Sequence, residues 1–318
     1  MMQIIDSLLE CNVALDSARS GLVLTIGSFD GVHLGHQHLI RQLMARADKL
    51  GCRSGALTFH PHPRAVLRPN DPLNYLSTLD ERTALLATLG LDQLVVVPFD
   101  MTVAATTAEA FVRHLHHYLG MCELWVGADF GMGHDREGTA ERLGELGQEL
   151  GYALHVVEPL FAGDSPISST RIRRLLAQGN VSQAAALLGR PYTLSGPVVH
   201  GFERGRKLGF PTANVALAPE RAIPAYGVYA VRCCWNGIIW PGVAGIGVRP
   251  TFDNGDPSLE VYLLDYAGDL YGVEMTVEFV EHLRPELRFD DIADLVLQLE
   301  RDVADARSIL GVKTGKKA

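Results

Sequence analysis

Cysteine is scarce in this 318-residue chain: five residues, at positions 11, 52, 122, 233 and 234, with no CxxC pair. That excludes a disulfide framework and leads us to expect reduced, mostly buried thiols. Positive charge is also in deficit, with 28 Lys and Arg against 37 Asp and Glu and a formal net charge of −9. A large nucleic-acid surface, which needs clustered cations to neutralise phosphates, is therefore not expected. No apolar run approaches the roughly 18 residues of a membrane span. The opening MMQIIDSLLECN lacks the basic-then-apolar order of a signal peptide; these absences together predict a cytoplasmic protein. The sequence has no G-x-S-x-G elbow, no Walker A loop and no G-x-G-x-x-G, so neither an activated-serine intermediate nor a P-loop is expected. No internal repeat or low-complexity tract is visible. With 47% apolar and 20% charged residues, the composition is that of a globular protein long enough for two domains.

What is present divides by periodicity. From residue 22 to 178, short apolar strands alternate with helix-length segments: LVLTIG (22–27), RSGALTF (53–59), LVVVP (94–98), CELWVG (122–127) and ALHVVE (153–158). Helices are expected over about 36–50, 79–89, the AEAFVRHLHHYL segment ending at Gly120, and 139–150. Thr78 and Glu81 have capping-box spacing. Strands joined by helices imply a parallel sheet covered on both faces, with ligands outside the carboxyl ends of its strands. Four unusual segments fall at such ends: GSFDGVHLGH, HPHPR, GADFGMGHDREG and SPISSTRIR.

The first of these, GSFDGVHLGHQH (27–38), carries His33 and His36 to a helix start, where free N–H groups and the helix dipole favour phosphate. A capped helix with two surface histidines is the alternative. In ISSTRIRR, Ser168, Ser169 and Thr170 can donate to phosphate oxygens, and Arg171 or Arg173 can grip them; N-capping beside a solvated basic face is the alternative. His60 and His62 could join His33 or His36 around zinc, although no cysteine or carboxylate completes a recognisable set.

These segments resemble the adenylyltransferase half of bacterial bifunctional riboflavin kinase/FAD synthetases, with Ser28 where that family usually has Asn. The resemblance implies a nucleotidyltransferase-like, Rossmann-like sheet over residues 1–186 that transfers AMP from ATP to FMN, releasing pyrophosphate. It implies His33 and His36 as catalytic residues and Gly27, Phe29, Gly31, Ser169, Thr170 and Arg171 as the ATP site. TFHPHPR (58–64) and VGADF (126–130) resemble its flavin-positioning loops, implicating Phe59, Pro61, His62, Pro63, Asp129 and Phe130. Met132 replaces a usual Phe.

After about residue 187 the chain turns rich in Gly and Pro, with β-like runs that suggest a small closed barrel. It ends in an amphipathic helix carrying Ile292, Leu295, Val296, Leu299, Val303 and Leu310 on one face, with Asp290 or Asp291 as N-cap. In HGFERGRKLGFPTANV (200–215), glycines permit a close wrap around a ligand, Arg204, Arg206 and Lys207 supply positive charge, and Thr212 and Asn214 offer hard oxygen ligands for Mg²⁺. A glycine-rich loop with basic decoration is the generic alternative. The segment resembles the PTAN motif of riboflavin kinases, as do GVYA (227–230), RPTF (249–252), LYG (270–272) and LRPELRF (283–289). The resemblance implies a kinase domain over 187–318 that converts riboflavin to FMN. Gly205, Lys207, Gly209 and Pro211 would bind ATP, Thr212 and Asn214 the metal, and Arg288 flavin. Glu260, in SLEVYLLDY, would be the general base, with a solvated edge Glu as the alternative. Tyr262 stands where the family commonly has His, and Gly245 where it commonly has Asn. ATP and Mg²⁺ are the expected co-substrate and cofactor, with no tightly bound prosthetic group. Two rivals remain at this stage: an inactive, flavin-binding barrel beside an active synthetase, and a non-catalytic flavin- or nucleotide-binding regulator.

Overall fold

The computed structural model describes residues 2–5, 21–71, 73–201, 205, 208–248 and 257–312. Backbone proximity divides the chain into Met1–Ser169 and Thr170–Ala318.

The first unit is a six-stranded sheet in the order β1-β4-β3-β2-β5-β6, with every neighbouring pair parallel. Its strands are β1 Gln3–Ile5, β2 Leu22–Ile26, β3 Arg53–His60, β4 Gln93–Pro98, β5 Met121–Gly127 and β6 Ala153–Val157. The edge strand β1 lies in the segment read only as lacking a signal peptide. Three residues are too few to show an alternation. The helices are α1 Leu34–Leu50, α2 Pro63–Leu67, α3 Leu79–Thr88, α4 Met101–Ala104, α5 Ala108–Leu119 and α6 Ala140–Leu150.

Side-chain alternation in the central strand sorts the core. Leu22, Leu24 and Ile26 pack with Val112 and Leu115 of α5 and Leu143 and Leu146 of α6. Val23 faces the other way, against Ile40, Leu43 and Ala47 of α1 and Leu86 of α3. Thr78 and Glu81 close a reciprocal capping box on α3, and α1, α5 and α6 each end on a left-handed glycine, the terminator that needs no Cβ. The strand order reverses beside β2, so the loops after β2 and β5 flank the point where open α/β sheets bind ligands.

In the second unit two helices, α7 Ser169–Ala177 and α8 Val181–Leu188, precede the strands, α7 having its first residue, Ser169, in the first unit. Six antiparallel strands, β9 Tyr192–Val199, β10 Ala213–Val215, β11 Gly227–Trp235, β12 Ile238–Val248, β13 Pro257–Leu263 and β14 Glu274–Pro285, close a barrel in the order β10-β13-β12-β11-β14-β9. (A two-stranded ribbon, β7 Phe161–Ala162 with β8 Ser165–Pro166, precedes α7.) The barrel confirms the expected architecture. In β13, Leu259, Val261 and Leu263 are buried and Glu260 and Tyr262 lie on the opposite face. The terminal helix, α9 Ile292–Leu310, is capped by Asp291. It packs Val303, Ala306 and Leu310 around Ala230, Val243, Tyr262 and Leu264. Ile292, expected on that face, is 66% exposed. Asp302, 1% exposed, instead receives a two-pronged grip from Arg284 at 2.8–3.2 Å.

Candidate active sites

His33 is itself the N-cap of α1: its Nδ1 accepts the His36 amide at 3.2 Å. It is only 5% exposed, so the alternative of two surface histidines does not hold. The two imidazoles stack at 3.6 Å, and Phe29 meets His36 edge-on at 5.3 Å. His33 accepting through Nδ1 leaves Nε2 as its N–H when neutral. Burial first, then the charges of His33 and Arg82, pull the His36 pKa well below the ordinary imidazole value, so His36 is neutral at physiological pH.

The turn feeding these rings is strained. Phe29 and Val32 hold φ angles of 46° and 38°, a region that costs non-glycine residues on the order of 1–3 kcal/mol. Gln37 donates to the Val32 carbonyl at 2.9 Å, and the Gly31 amide donates to the Ser77 hydroxyl at 2.9 Å. Asp30, fully buried, accepts from the Leu76 and Ser77 amides at 3.0 Å and from the Ser77 hydroxyl at 3.2 Å. A Cβ on Gly35 would meet the His33 ring and the Ile167 carbonyl within 3.4 Å. Asp30, Ser77 and Arg82 were not singled out from the sequence. The available signal was a lone arginine on the apolar stripe of α3, three residues from Leu79 and four from Leu86.

The Ser169 hydroxyl donates to the Asp30 carbonyl at 2.9 Å. The segment after β6 therefore meets the histidine loop, as convergence at the sheet edge requires. Thr170 and Arg171 continue α7 in the second unit.

Beside this loop lies a cavity of 890 Å³ lined by Gly27, Phe59, His62, Pro63, Asp129 and Phe130. It therefore gathers residues from three of the segments read as ligand loops. Arg64, Arg68 and Arg136 also line it, and Met132 fills the position noted as a departure. The lining is rich in aromatic and aliphatic side chains, which suits a planar heterocycle, with cations on the rim for phosphate. Phe59 packs edge-on to Phe99 at 5.4 Å. His62 caps α2, accepting the Arg64 amide at 3.0 Å, and its own amide donates to the Tyr75 hydroxyl at 2.9 Å. Pro61 follows a cis bond from His60 and does not line the cavity. Among the described residues no group of three His, Cys, Asp or Glu could hold a metal ion; His60 and His62 with a loop histidine make no zinc site.

In the second unit, Asn214 of β10 pairs with Glu260 of β13 in register, and the Thr212 hydroxyl lies 3.4 Å from Glu260 Oε2. Thr212 and Glu260, 48 positions apart, thus meet through their oxygens, with Asn214 at the paired position beside Glu260. Gly245 sits directly opposite Glu260 on β12, with nothing within 4 Å of an added Cβ. Tyr262 packs edge-on to Phe210 at 5.3 Å. A Cβ on Gly201 would lie 2.2 Å from Asn214 Nδ2, so a side chain there would displace the Asn214 amide. Pro211 and Thr212 border a 630 Å³ cavity that also includes Tyr266, Asp269 and Tyr271. Gly205 is described and Gly209 adopts a left-handed turn. Arg288 is exposed beyond β14. Arg204, Arg206, Lys207 and the RPTF segment lie outside the described residues.

A family profile for FAD synthetase matches residues 15–171, and one for riboflavin kinase matches residues 188–310. A protein from Listeria monocytogenes, "Bifunctional riboflavin kinase/FMN adenylyltransferase", is 38% identical across 90% of this chain and 91% of its own. The protein of the same name from Escherichia coli K12 is 40% identical across 92% and 94%. A crystal structure titled "Macrolide-efflux Protein from Streptococcus pneumoniae" superposes with a TM-score of 0.87 at 31% identity, covering 96% of this chain and 98% of that one. Among the described residues no helix is long and apolar enough to cross a membrane.

Proposed function

The chain belongs to the bifunctional riboflavin kinase/FMN adenylyltransferase family, and from that premise we propose how its residues divide two ATP-dependent reactions between two sites. The enzyme phosphorylates riboflavin to FMN and adenylylates FMN to FAD. The functional division we propose is 1–186 for adenylyl transfer and 187–318 for the kinase.

For adenylyl transfer, FMN occupies the 890 Å³ cavity, its ring among Phe59, Pro63 and Phe130, with His62 and Asp129 on the polar side and Pro61 shaping the loop behind them. A phosphate oxygen of FMN attacks the α-phosphorus of ATP; a P–O bond forms as the bond to pyrophosphate breaks. Gly27, Phe29 and Gly31 shape the nucleotide loop. His33 and His36 donate to the phosphates, and Ser169, Thr170 and Arg171 hold the departing pyrophosphate. Positioning and charge stabilisation supply the rate, without a covalent intermediate. The observation that carries this reading is the 2.9 Å hydrogen bond from Ser169 to Asp30, because it joins the two phosphate-binding segments at one edge.

For the kinase, Glu260 takes the proton of the ribityl 5′-hydroxyl as that oxygen attacks the γ-phosphorus and ADP departs. Gly205, Lys207, Gly209 and Pro211 hold ATP, and Arg288 orients flavin. Thr212 and Glu260 meet through their oxygens and Asn214 pairs with Glu260 in register, and side-chain oxygens of these types are the hard donors that Mg²⁺ prefers. Thr212 and Asn214 would hold the ion, which neutralises phosphate charge when bound. Cys52, Cys122, Cys233 and Cys234, present as thiols rather than disulfides, suit a reducing cytoplasm.

Incubation with riboflavin, Mg²⁺ and ATP, followed by chromatography, should yield FMN and then FAD. FAD from added FMN but no FMN from riboflavin would reduce the barrel to a flavin-binding module; no product from either flavin would leave only the regulator reading.

A further inference from the structure

The 890 Å³ cavity of the first unit has two unlike ends. Phe99, Met101 and Val103, from the segment after β4, make one end apolar. The other adjoins the histidine loop. β2 and β5 are neighbours, with Thr25 paired to Trp125, so Gly27 and Gly127 leave the sheet side by side. The turn after Gly127 is closed by the Phe130 amide, which donates to the Gly127 carbonyl at 3.1 Å. Arg136 is folded over this turn. Its Nη2 donates to the Asp129 carbonyl at 3.0 Å, and its guanidinium covers Gly131, where an added Cβ would meet it at 3.1–3.3 Å. Arg136 is exposed, yet its side chain is bent back along the cavity wall instead of reaching into water.

The backbone is strained to put it there. Asp135 and Arg136 hold φ angles of 50° and 60°, a left-handed region that side chains with a Cβ rarely adopt. The loop is pinned around that bend: the His134 amide donates to the Thr106 carbonyl at 3.0 Å, Glu137 accepts the Ala108 amide at 2.8 Å, and Met132 bridges to Gly138. None of these bonds neutralises the guanidinium. Asp135 leans toward His134 at 3.5 Å, and among the described residues no carboxylate pairs with Arg136. The other arginines of the cavity differ. Arg64 is engaged by Asp71 at 2.6 Å, and Arg68 closes α2 with no printed bond from its side chain to hold it in place. Arg136 is thus an anchored cation whose charge is left for a ligand.

We propose that Arg136 recognises the terminal phosphate of the flavin, making it the specificity-determining residue that admits FMN to adenylyl transfer. This rests on the adenylyltransferase reading above and names the recognition element of that same site. The attacking phosphate oxygen must reach ATP at the histidine loop, so the phosphate belongs at the β2–β5 end and the ring at the apolar end. A phosphate monoester carries close to two negative charges at neutral pH, and the planar fork of a guanidinium matches its oxygens in a way that a point charge does not. A flavin without phosphate offers this fork nothing.

The test is steady-state FAD formation from FMN and ATP by the whole chain in the parent, R136K, R136Q and R136M, with lumiflavin as an inhibitor competing with FMN. Lumiflavin has the ring but neither the ribityl chain nor the phosphate. Loss of a charge-assisted grip should lower kcat/KM for FMN about 10–100-fold in R136Q and R136M, while the Ki of lumiflavin and the KM for ATP stay parental. R136K, which keeps a charge without the fork, should fall between them and the parent. Urea midpoints should not change, because the side chain is exposed. Parental kcat/KM in both neutral variants would overturn the proposal. So would a Ki of lumiflavin rising in step with the loss, which would mean that Arg136 shapes the cavity or stacks on the ring, and so would an R136K no better than R136M. A parent forming no FAD from FMN would fail the adenylyltransferase reading instead.

Discussion

At the residue scale, the proposed mechanism divides the chemistry between two side chains, and substitutions should separate the reactions. His36 lies stacked on His33 at the head of α1, far in sequence from Glu260 on β13. On the proposed mechanism H36A removes a donor to developing phosphate charge, a loss of about 10²–10³ in kcat by analogy with single oxyanion donors. It should cut FAD formation by that factor and leave FMN formation at the parental rate. E260Q removes the proposed general base and should reverse the pattern, lowering FMN formation about 10²–10⁴-fold while FAD still forms from added FMN. Chromatography of both products from each variant checks the pair. Parental behaviour in both would remove His36 and Glu260 from the mechanism.

At the element scale, Glu123 of β5 ties three elements together beside the sheet. It is 4% exposed and accepts from Arg46 of α1 at 2.7–3.3 Å and from Trp125 at 3.0 Å, with His155 of β6 at 3.2 Å. Burial alone would raise its pKa. Hydrogen bonds from Arg46 and Trp125, with the charges of His155 and Arg46, outweigh that and hold it below the ordinary carboxylate range. A carboxyl whose folded pKa lies below its unfolded value stabilises the fold above the unfolded value, and the contribution disappears as pH falls through the folded one. E123Q should therefore be less stable than the parent by about 2 kcal/mol at pH 7. In urea titrations that gap should close at acid pH; a gap unchanged at pH 3 would mean that the ionised carboxylate is not what binds these elements. Networks of this kind explain what the sequence could and could not disclose. Strand and helix alternation, the α3 capping box and the closing glycines were legible because each is a local pattern, and so were the paired loops at the strand ends. The Asp30 grip, the Arg82 insertion and the pairing of Asn214 with Glu260 were not, because they depend on residues 46 positions or more apart or, for Arg82, on a cation inside an apolar stripe that periodicity alone assigns to carbon.

At the scale of the whole chain, the helices between sheet and barrel set where it can be divided. Residues 170–188 cluster with the second unit. α8 packs against β9 and β14, and the Leu176 carbonyl of α7 accepts the Ala225 amide at 2.9 Å. Ile172, Leu175 and Leu176 of α7 and Val181, Ala184, Leu187 and Leu188 of α8 are buried. A fragment beginning at residue 187 would lose nearly all of these contacts. At about 1.5–3 kcal/mol for each large side chain returned to water, the loss is comparable to the roughly 5–15 kcal/mol that holds a typical domain together. The fragment 170–318 should therefore fold and convert riboflavin to FMN, whereas 187–318 should unfold at markedly lower urea or aggregate. The first unit answers the opposite way. The fragment 1–169 keeps Ser169 and its bond to Asp30 but lacks Thr170 and Arg171, so FAD formation should fall well below that of the whole chain. The fragment 1–186 retains both residues, on helices deprived of the barrel strands that cover them. The same helix thus belongs to the barrel by packing and, on the proposed mechanism, serves adenylyl transfer, so no single cut should yield two fully active halves. Two such halves, each matching the parent in rate and urea midpoint, would show instead that residues 170–186 are a neutral connection.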